Sequence, residues 1–208
     1  MDKAYRDYKC EVRAKQDETN GDFIVGHPIV FGASYDVGGI FGETIDEGAL
    51  DNTNLKDVRC LINHNFSMVP LARSRNNNAN STMQLELRED GLHVRANLDT
   101  ENNTTAKELY SAVSRQDIDG MSFCFVVDGE SWENLDSDYP IRHITSISSV
   151  FEVSAVTAPA YEATSIEARS DAEALENAKA RLESERAAEE RKAKMEALET
   201  RLKKLMEV

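Results

Sequence analysis

The sequence has no run of about 20 apolar residues, the length that a helix needs to cross a bilayer. Its first residues, Met1 to Arg6, are polar and contain no apolar signal segment. These two absences predict a cytosolic protein that has no membrane partner.

Cysteine is scarce, and its spacing fits neither a disulfide framework nor a zinc site. The sequence contains no C-x-x-C pair, since its three cysteines lie far apart at Cys10, Cys60 and Cys124. H-x-x-x-H and H-E-x-x-H spacings are also missing among the four histidines, His27, His64, His93 and His143. The pattern argues against a disulfide framework and against a zinc site, so we expect neither a metal nor a cofactor.

Basic residues are too few for a nucleic-acid-binding protein. The chain carries 24 basic and 38 acidic residues, for a net charge of −14, and no Lys/Arg run stands out. A chain of this charge is repelled by phosphate backbones and by anionic membrane surfaces.

Glycine, proline and aromatic residues are absent from position 170 to the end. This segment is rich in helix-forming residues, and its 10 acidic and 9 basic residues nearly cancel. Met195 and Leu202, and likewise Leu198 and Leu205, are seven residues apart, as in a two-heptad coiled-coil seam. We therefore divide the chain into a folded domain, 1–168, and a charged helical tail, 169–208, which either oligomerises or binds a partner, or is simply a solvated helix.

The sequence of the folded domain predicts a structure made mostly of β-strands. Apolar and alternating runs predict strands that are separated by glycine or by polar turns, at 23–26, 28–32, 41–45, 58–62, 83–87, 92–96, 121–127, 144–147 and 150–156. Asp90-Gly91 predicts a hairpin turn. One helix interrupts the strands, and Thr105 to Glu108 fits a capping box at its start.

Three strand-like windows each contain one reactive side chain. They are Leu61-Ile62-Asn63-His64-Asn65, Gly120-Met121-Ser122-Phe123-Cys124-Phe125 and a third from Phe151 to Ala160 that contains Glu152. A serine hydroxyl needs a base, a histidine supplies one near neutral pH, and a carboxylate can orient that histidine. Read alone, each window is more often structural than catalytic. Together they offer a nucleophile, a base and an acid.

At this point the windows resemble a known family, the prohead proteases of tailed bacteriophages, which are capsid-maturation serine proteases related to the herpesvirus assemblins. The resemblance spans about 22–168. It rests on the -N-H-N- element followed by Pro70-Leu71-Ala72, on Glu89-Asp90-Gly91-Leu92, on Asp119-Gly120-Met121-Ser122-Phe123 and on Phe151-Glu152-Val153-Ser154-Ala155-Val156-Thr157-Ala158-Pro159-Ala160.

The resemblance implies an α+β fold: a mostly antiparallel, barrel-like protease domain with few helices, plus the helical tail. It implies that His64 is the general base, that Ser122 is the nucleophile and that Glu152 is the third member. His143 is the alternative for that third position, because assemblins use a second histidine there. Cys124 stands where the family commonly has a glycine.

It further implies a serine endopeptidase that cleaves the scaffold or capsid-protein extension, and itself, inside the immature capsid in the host cytoplasm. The implied partners are the major capsid protein, the scaffold and further copies of the chain. Two other interpretations stay open: a β-rich assembly module without catalysis, and an α/β-hydrolase. The second glycine of G-x-S-x-G and the repeated βα pattern of such a hydrolase are missing.

Overall fold

The computed structural model describes residues 4–8, 12–18, 21–157 and 165–206. Cys10 and the Ala158-Pro159-Ala160 end of the third window lie outside these ranges. The elements are β1 (Ala4–Tyr8), β2 (Val12–Asp17), β3 (Gly21–Val30), β4 (Tyr35–Val37), β5 (Phe41–Ile45), β6 (Asp57–Ile62), β7 (Ala72–Arg75), β8 (Met83–Arg88), β9 (Gly91–Asn97), α1 (Thr104–Ser114), β10 (Gly120–Glu133), β11 (Ile141–Val156) and α2 (Ser165–Met206).

The strands form two sheets. One has the order β1-β10-β11-β5-β4, with β6 also paired to β11 and β7 paired to β6, and the other has the order β2-β3-β9-β8. The predicted mostly-β character is confirmed. Among the described strands neither sheet closes on itself, so the barrel-like part of the prediction is not met. The first sheet instead branches at β11, which pairs in parallel with β5 through one part of its length and with β6 through another.

Two pairs of predicted short strands are continuous in the structure. The run at 23–26 and the first part of that at 28–32 belong to β3, which ends at Val30, and the runs at 144–147 and 150–156 belong to β11. In each case the polar residues between the runs remain in the strand because pairing with a neighbouring strand resumes beyond an irregularity in register. The register of β3 against β9 shifts after Gly26, and that of β11 against β10 shifts at four places.

The helix α1 begins differently from the prediction. Its N-cap is Asn103, whose side-chain oxygen accepts hydrogen bonds from the backbone N–H groups of Thr105 and Ala106 at 3.0 and 3.2 Å. The predicted capping box from Thr105 to Glu108 is therefore wrong, because the helix already begins at Thr104 after the Asn103 cap, and Thr105 lies inside it. The apolar face of α1 is as expected, since Leu109 and Val113 are buried.

Both sheets and α1 contribute to one hydrophobic core. Buried members include Ile24 and Leu92 from the smaller sheet, Phe123 and Val153 from the larger one and Leu109 from α1. The turn between β8 and β9 is packed closely against the backbone of β3, so it requires glycine. Gly91 has a φ of 138°, and a Cβ there would come within 1.9 Å of a backbone oxygen.

The chain separates into two compact units, Met1–Glu167 and Ala168–Val208. The second unit consists, in its described part, of α2 alone. Across the described residues, no helix combines the length and the apolar character that a membrane span requires.

Candidate active site

The strand β11, which bears Glu152, lies between β10, which bears Ser122, and β6, which ends two residues before His64. On one side β10 pairs antiparallel with it, with Ser122 opposite Ser154, and on the other side β6 pairs in parallel, with Leu61 opposite Ser154. Cross-strand partners point to the same face of a sheet, as do residues two apart on one strand. Ser122, Ser154 and Glu152 therefore share one face.

His64 reaches this face through a turn at the end of β6. Both Asn63 and His64 have left-handed backbone conformations, with φ of 48° and 54°. Asparagine and histidine adopt this conformation more readily than most residues. The Asn63 N–H donates to the carbonyl of Ala155 at 3.0 Å, and the Asn63 side-chain oxygen accepts from the N–H of Thr157 at 3.0 Å. These bonds fix the turn against the end of β11.

The imidazole of His64 lies between the other two candidates. Its Nδ1 is 2.6 Å from Oε1 of Glu152, and its Nε2 is 2.6 Å from Oγ of Ser122. An ionised carboxylate only accepts hydrogen bonds, so the proton between His64 and Glu152 belongs to Nδ1. In the neutral imidazole, Nε2 is then the basic nitrogen, and it faces the serine hydroxyl.

Ser154 joins the carboxylate to the histidine turn. Its hydroxyl donates to Oε2 of Glu152 at 2.5 Å and accepts from the backbone N–H of His64 at 3.0 Å. Both oxygens of Glu152 therefore have a partner. One side chain thus positions the carboxylate and the residue that the carboxylate contacts.

The side chains of the candidate site are largely shielded from solvent. Ser122 and Glu152 are fully buried, and the His64 side chain is 18% exposed. A buried carboxylate costs several kcal/mol unless it is paired and hydrogen-bonded. The contacts with His64 and Ser154 offset this cost, and they explain why an acidic residue is tolerated in an otherwise apolar part of β11.

A second acceptor competes for the Ser122 hydroxyl. The carbonyl oxygen of Arg6, in β1, lies 2.8 Å from Oγ of Ser122. A serine hydroxyl has one proton to donate, so it can be directed to His64 or to this carbonyl, but not fully to both.

The thiol of Cys60 does not supply an alternative nucleophile. Burial, together with the charge of Glu152, raises the pKa of Cys60 to about 12, so this thiol stays protonated at neutral pH. Cys124 is also buried, and its register partner on β11 is Glu152.

The alternative third member, His143, lies elsewhere in the structure. Its Nδ1 is 2.9 Å from Asp46, its Nε2 is 3.5 Å from Glu133, and its register partner on β10 is Ser131, nine residues beyond Ser122. The carboxylate of Glu152, and not His143, contacts His64.

Among the described residues, one cluster has the donor types of a metal site: His27, Asp90 and His93. The two imidazole rings stack at 4.0 Å with an angle of 20° between their planes. Nearly parallel rings do not direct their nitrogen lone pairs to one point, and the guanidinium of Arg88 lies 3.5 Å from His93. We therefore assign no metal to this cluster.

Sequence reasoning gave no role to Ser154 or to Arg6. Ser154 carried a usable signal, because it follows Glu152 by two residues in a strand and therefore shares its face. The sequence contains no signal for the contact of Arg6 with Ser122, because the pairing of β1 with β10 joins residues more than 110 positions apart.

Comparison with known proteins supplies the family. Neither a curated protein nor a solved structure matches the chain. The sequence model of the caudovirus prohead serine proteases matches residues 8–180, which include His64, Ser122 and Glu152. This family contains capsid-maturation proteases that act in association with the prohead. The chain belongs to the caudovirus prohead serine protease family.

Proposed function

We propose that this chain is a serine endopeptidase in which Ser122, His64 and Glu152 work as a catalytic triad. The observation that carries the proposal is the pair of 2.6 Å contacts made by the two ring nitrogens of His64. A nucleophile, a base and an orienting carboxylate in hydrogen-bonded series are the arrangement by which an un-ionised serine becomes reactive.

The reaction follows from this geometry. Nε2 of His64 removes the proton from Ser122 as Oγ attacks the carbonyl carbon of a peptide bond. The resulting imidazolium is stabilised by Glu152 and returns the proton to the leaving amine. Water then enters and, with His64 again acting as base, hydrolyses the acyl-enzyme to release the acid product and the serine.

Membership of the family supports the proposal that the substrates lie inside the immature capsid. We propose that they are the scaffold or capsid-protein extension and this chain itself. The partners are then the major capsid protein and the scaffold, which are reached in the host cytoplasm while the shell assembles.

The division of the chain at about residue 168 fits this role. We propose that residues 1–168 form the protease domain and that the helical segment 169–208 incorporates the enzyme among scaffold helices or brings copies of it together. The spacing of Met195 and Leu202, and of Leu198 and Leu205, supports such a contact.

The test is co-expression of the chain with the scaffold and capsid genes of its phage. Wild type should shorten the scaffold, whereas Ser122→Ala and His64→Ala should leave it at full length. Ser114→Ala is the matched control, since this serine is exposed at the end of α1. Normal scaffold processing by Ser122→Ala would contradict the proposal and would favour a β-rich assembly module without catalysis.

A further inference from the structure

Ser122 is fully buried, which conflicts with its proposed role unless part of the structure moves. Acyl transfer requires the carbonyl carbon of the substrate to lie roughly 3–3.5 Å from the attacking oxygen. A substrate therefore has to replace something that now lies against Ser122.

The strand β1 is in that position. It pairs antiparallel with β10 from Tyr8 opposite Met121 to Ala4 opposite Phe125, and Asp7 is opposite Ser122. It is an edge strand of the larger sheet, where β10 is its one described neighbour. The group that it places 2.8 Å from the nucleophile is the backbone carbonyl of Arg6, the same chemical group that a peptide substrate presents.

We infer that β1 occupies the substrate's place, and that an extended peptide binds by replacing it as an antiparallel strand along β10. This inference rests on the proposed function. A peptide hydrogen-bonded to Met121–Phe125 in the same manner brings a backbone carbonyl to Ser122, as β1 does with Arg6. The substrate class is thus an extended, unfolded segment, and β1 is a resident competitor that keeps the enzyme latent until it is displaced.

The side chain of Arg6 holds β1 in place and still permits its release. It forms a two-pronged ion pair with the buried Glu43, at 2.5 and 2.9 Å. When β1 leaves, Glu43 keeps a second guanidinium, that of Arg142, at 3.1 Å. Displacement therefore does not leave a buried carboxylate unpaired, which is the most costly outcome for such a group.

The cross-strand register allows β1 to be joined reversibly to β10 by an engineered disulfide. Tyr5 is the register partner of Cys124, and the Cα atoms of such partners lie about 4.5–5.5 Å apart, within the range of a disulfide. The full chain with Tyr5→Cys and Cys10→Ser can be oxidised to fasten β1 to β10 and then reduced to release it. Mass spectrometry of peptides establishes the cross-link, and the readout is the rate at which a small fluorophosphonate modifies Ser122.

The reduced protein should be phosphonylated at Ser122, and the cross-linked protein should react at least about tenfold more slowly, because access then depends on an opening that the disulfide prevents. Equal rates in the cross-linked and reduced forms would overturn the inference while leaving the proposed function intact. If neither the reduced protein nor Arg6→Ala is modified at Ser122, or if Ser122→Ala in the same background takes up as much label at another residue, the proposed function fails and the inference fails with it.

A second pair of variants needs no cross-link. Arg6→Ala removes the anchor on β1 and should speed phosphonylation of Ser122, whereas Arg142→Ala disturbs the same ion cluster from β11 and should not. Circular dichroism establishes that both variants are folded. An unchanged rate in Arg6→Ala, or an equal increase in both, would overturn the inference.

Discussion

The carboxylate of Glu152 lies 2.6 Å from Nδ1 of His64 in a fully buried position on β11. This contact directs the other ring nitrogen to Ser122. Replacing Glu152 by glutamine should lower kcat about 10³- to 10⁴-fold, because an amide removes the charge that stabilises the imidazolium and presents a donor to Nδ1. The measurement is the rate of scaffold cleavage by purified protein.

The matched control is Glu108→Gln on the exposed face of α1, which should keep the wild-type rate. Retention of full activity by Glu152→Gln would remove Glu152 from the proposed triad.

Ser154 is expected to act through the residues that it positions. Ser154→Ala loses both the donor to Glu152 and the acceptor for the His64 N–H. Since a misplaced catalytic group costs up to about 100-fold in rate, kcat should fall roughly 10- to 100-fold with little change in KM. Ser74→Ala is the comparison: this serine is equally buried, but it contacts Asn77. If both variants lose stability and neither loses kcat, Ser154 is merely structural.

Asn63 contributes two properties to the turn that presents His64: a left-handed backbone conformation and a side-chain hydrogen-bond acceptor. Asn63→Gly keeps access to the left-handed conformation but loses the acceptor for Thr157, and Asn63→Ala loses both. Asn63→Ala should therefore be less stable than Asn63→Gly by about 1 kcal/mol. Urea denaturation of the two variants gives this difference directly, and the reverse order of stability would contradict the assigned turn.

The thiol of Cys60 should be inert in the folded protein. Burial and the nearby charge of Glu152 raise its pKa to about 12, so almost no thiolate exists at pH 8. Iodoacetamide followed by peptide mass mapping should leave Cys60 unmodified in the native protein and modify it fully in guanidinium chloride. Rapid alkylation in the native protein would show that the thiol of Cys60 is accessible to solvent and ionises readily.

The ion cluster at Glu43 predicts a pH dependence of stability. Burial alone would raise the pKa of Glu43, but the charges and hydrogen bonds of Arg6 and Arg142 outweigh it and hold the pKa below its ordinary value of 4.5. A group with a depressed folded pKa stabilises the protein above its unfolded pKa, and this stability is lost as the pH falls through the folded value.

Glu43→Gln should accordingly lower the free energy of unfolding at pH 7 by about 3–5 kcal/mol, the range for breaking a buried ion pair. It should also weaken the loss of stability on acidification below about pH 4.5. Thermal melts at a series of pH values measure both effects. Glu86→Gln, in an exposed pair with Arg88, should change the profile much less, because exposed ion pairs contribute little to stability.

Much of the fold could be predicted because its signals are local. Alternation of apolar and polar residues identified β8 and β9, and Asp90-Gly91 identified their turn. The start of α1 was misassigned because Asn103 and Thr105 are both good caps, and sequence alone does not decide which of them faces the first N–H groups.

The pairing of distant strands was not predictable in the same way. The parallel register of β6 against β11 brings His64 to Glu152, and the addition of β1 to β10 buries Ser122. Both depend on contacts between distant parts of the chain that leave no periodic pattern. The three sequence windows and their resemblance to a family together singled out the three residues, and the register accounts for how they come together.

The proposed role of Ser122 is tested by identifying the residue whose modification stops scaffold processing. A fluorophosphonate is added to proheads while scaffold cleavage is under way, and tandem mass spectrometry locates the adduct when cleavage has ceased. One phosphonylated serine, Ser122, is expected, and no such adduct is expected in His64→Ala particles. Cessation of cleavage with the adduct on another serine, or continued cleavage with Ser122 fully modified, would contradict the proposed role.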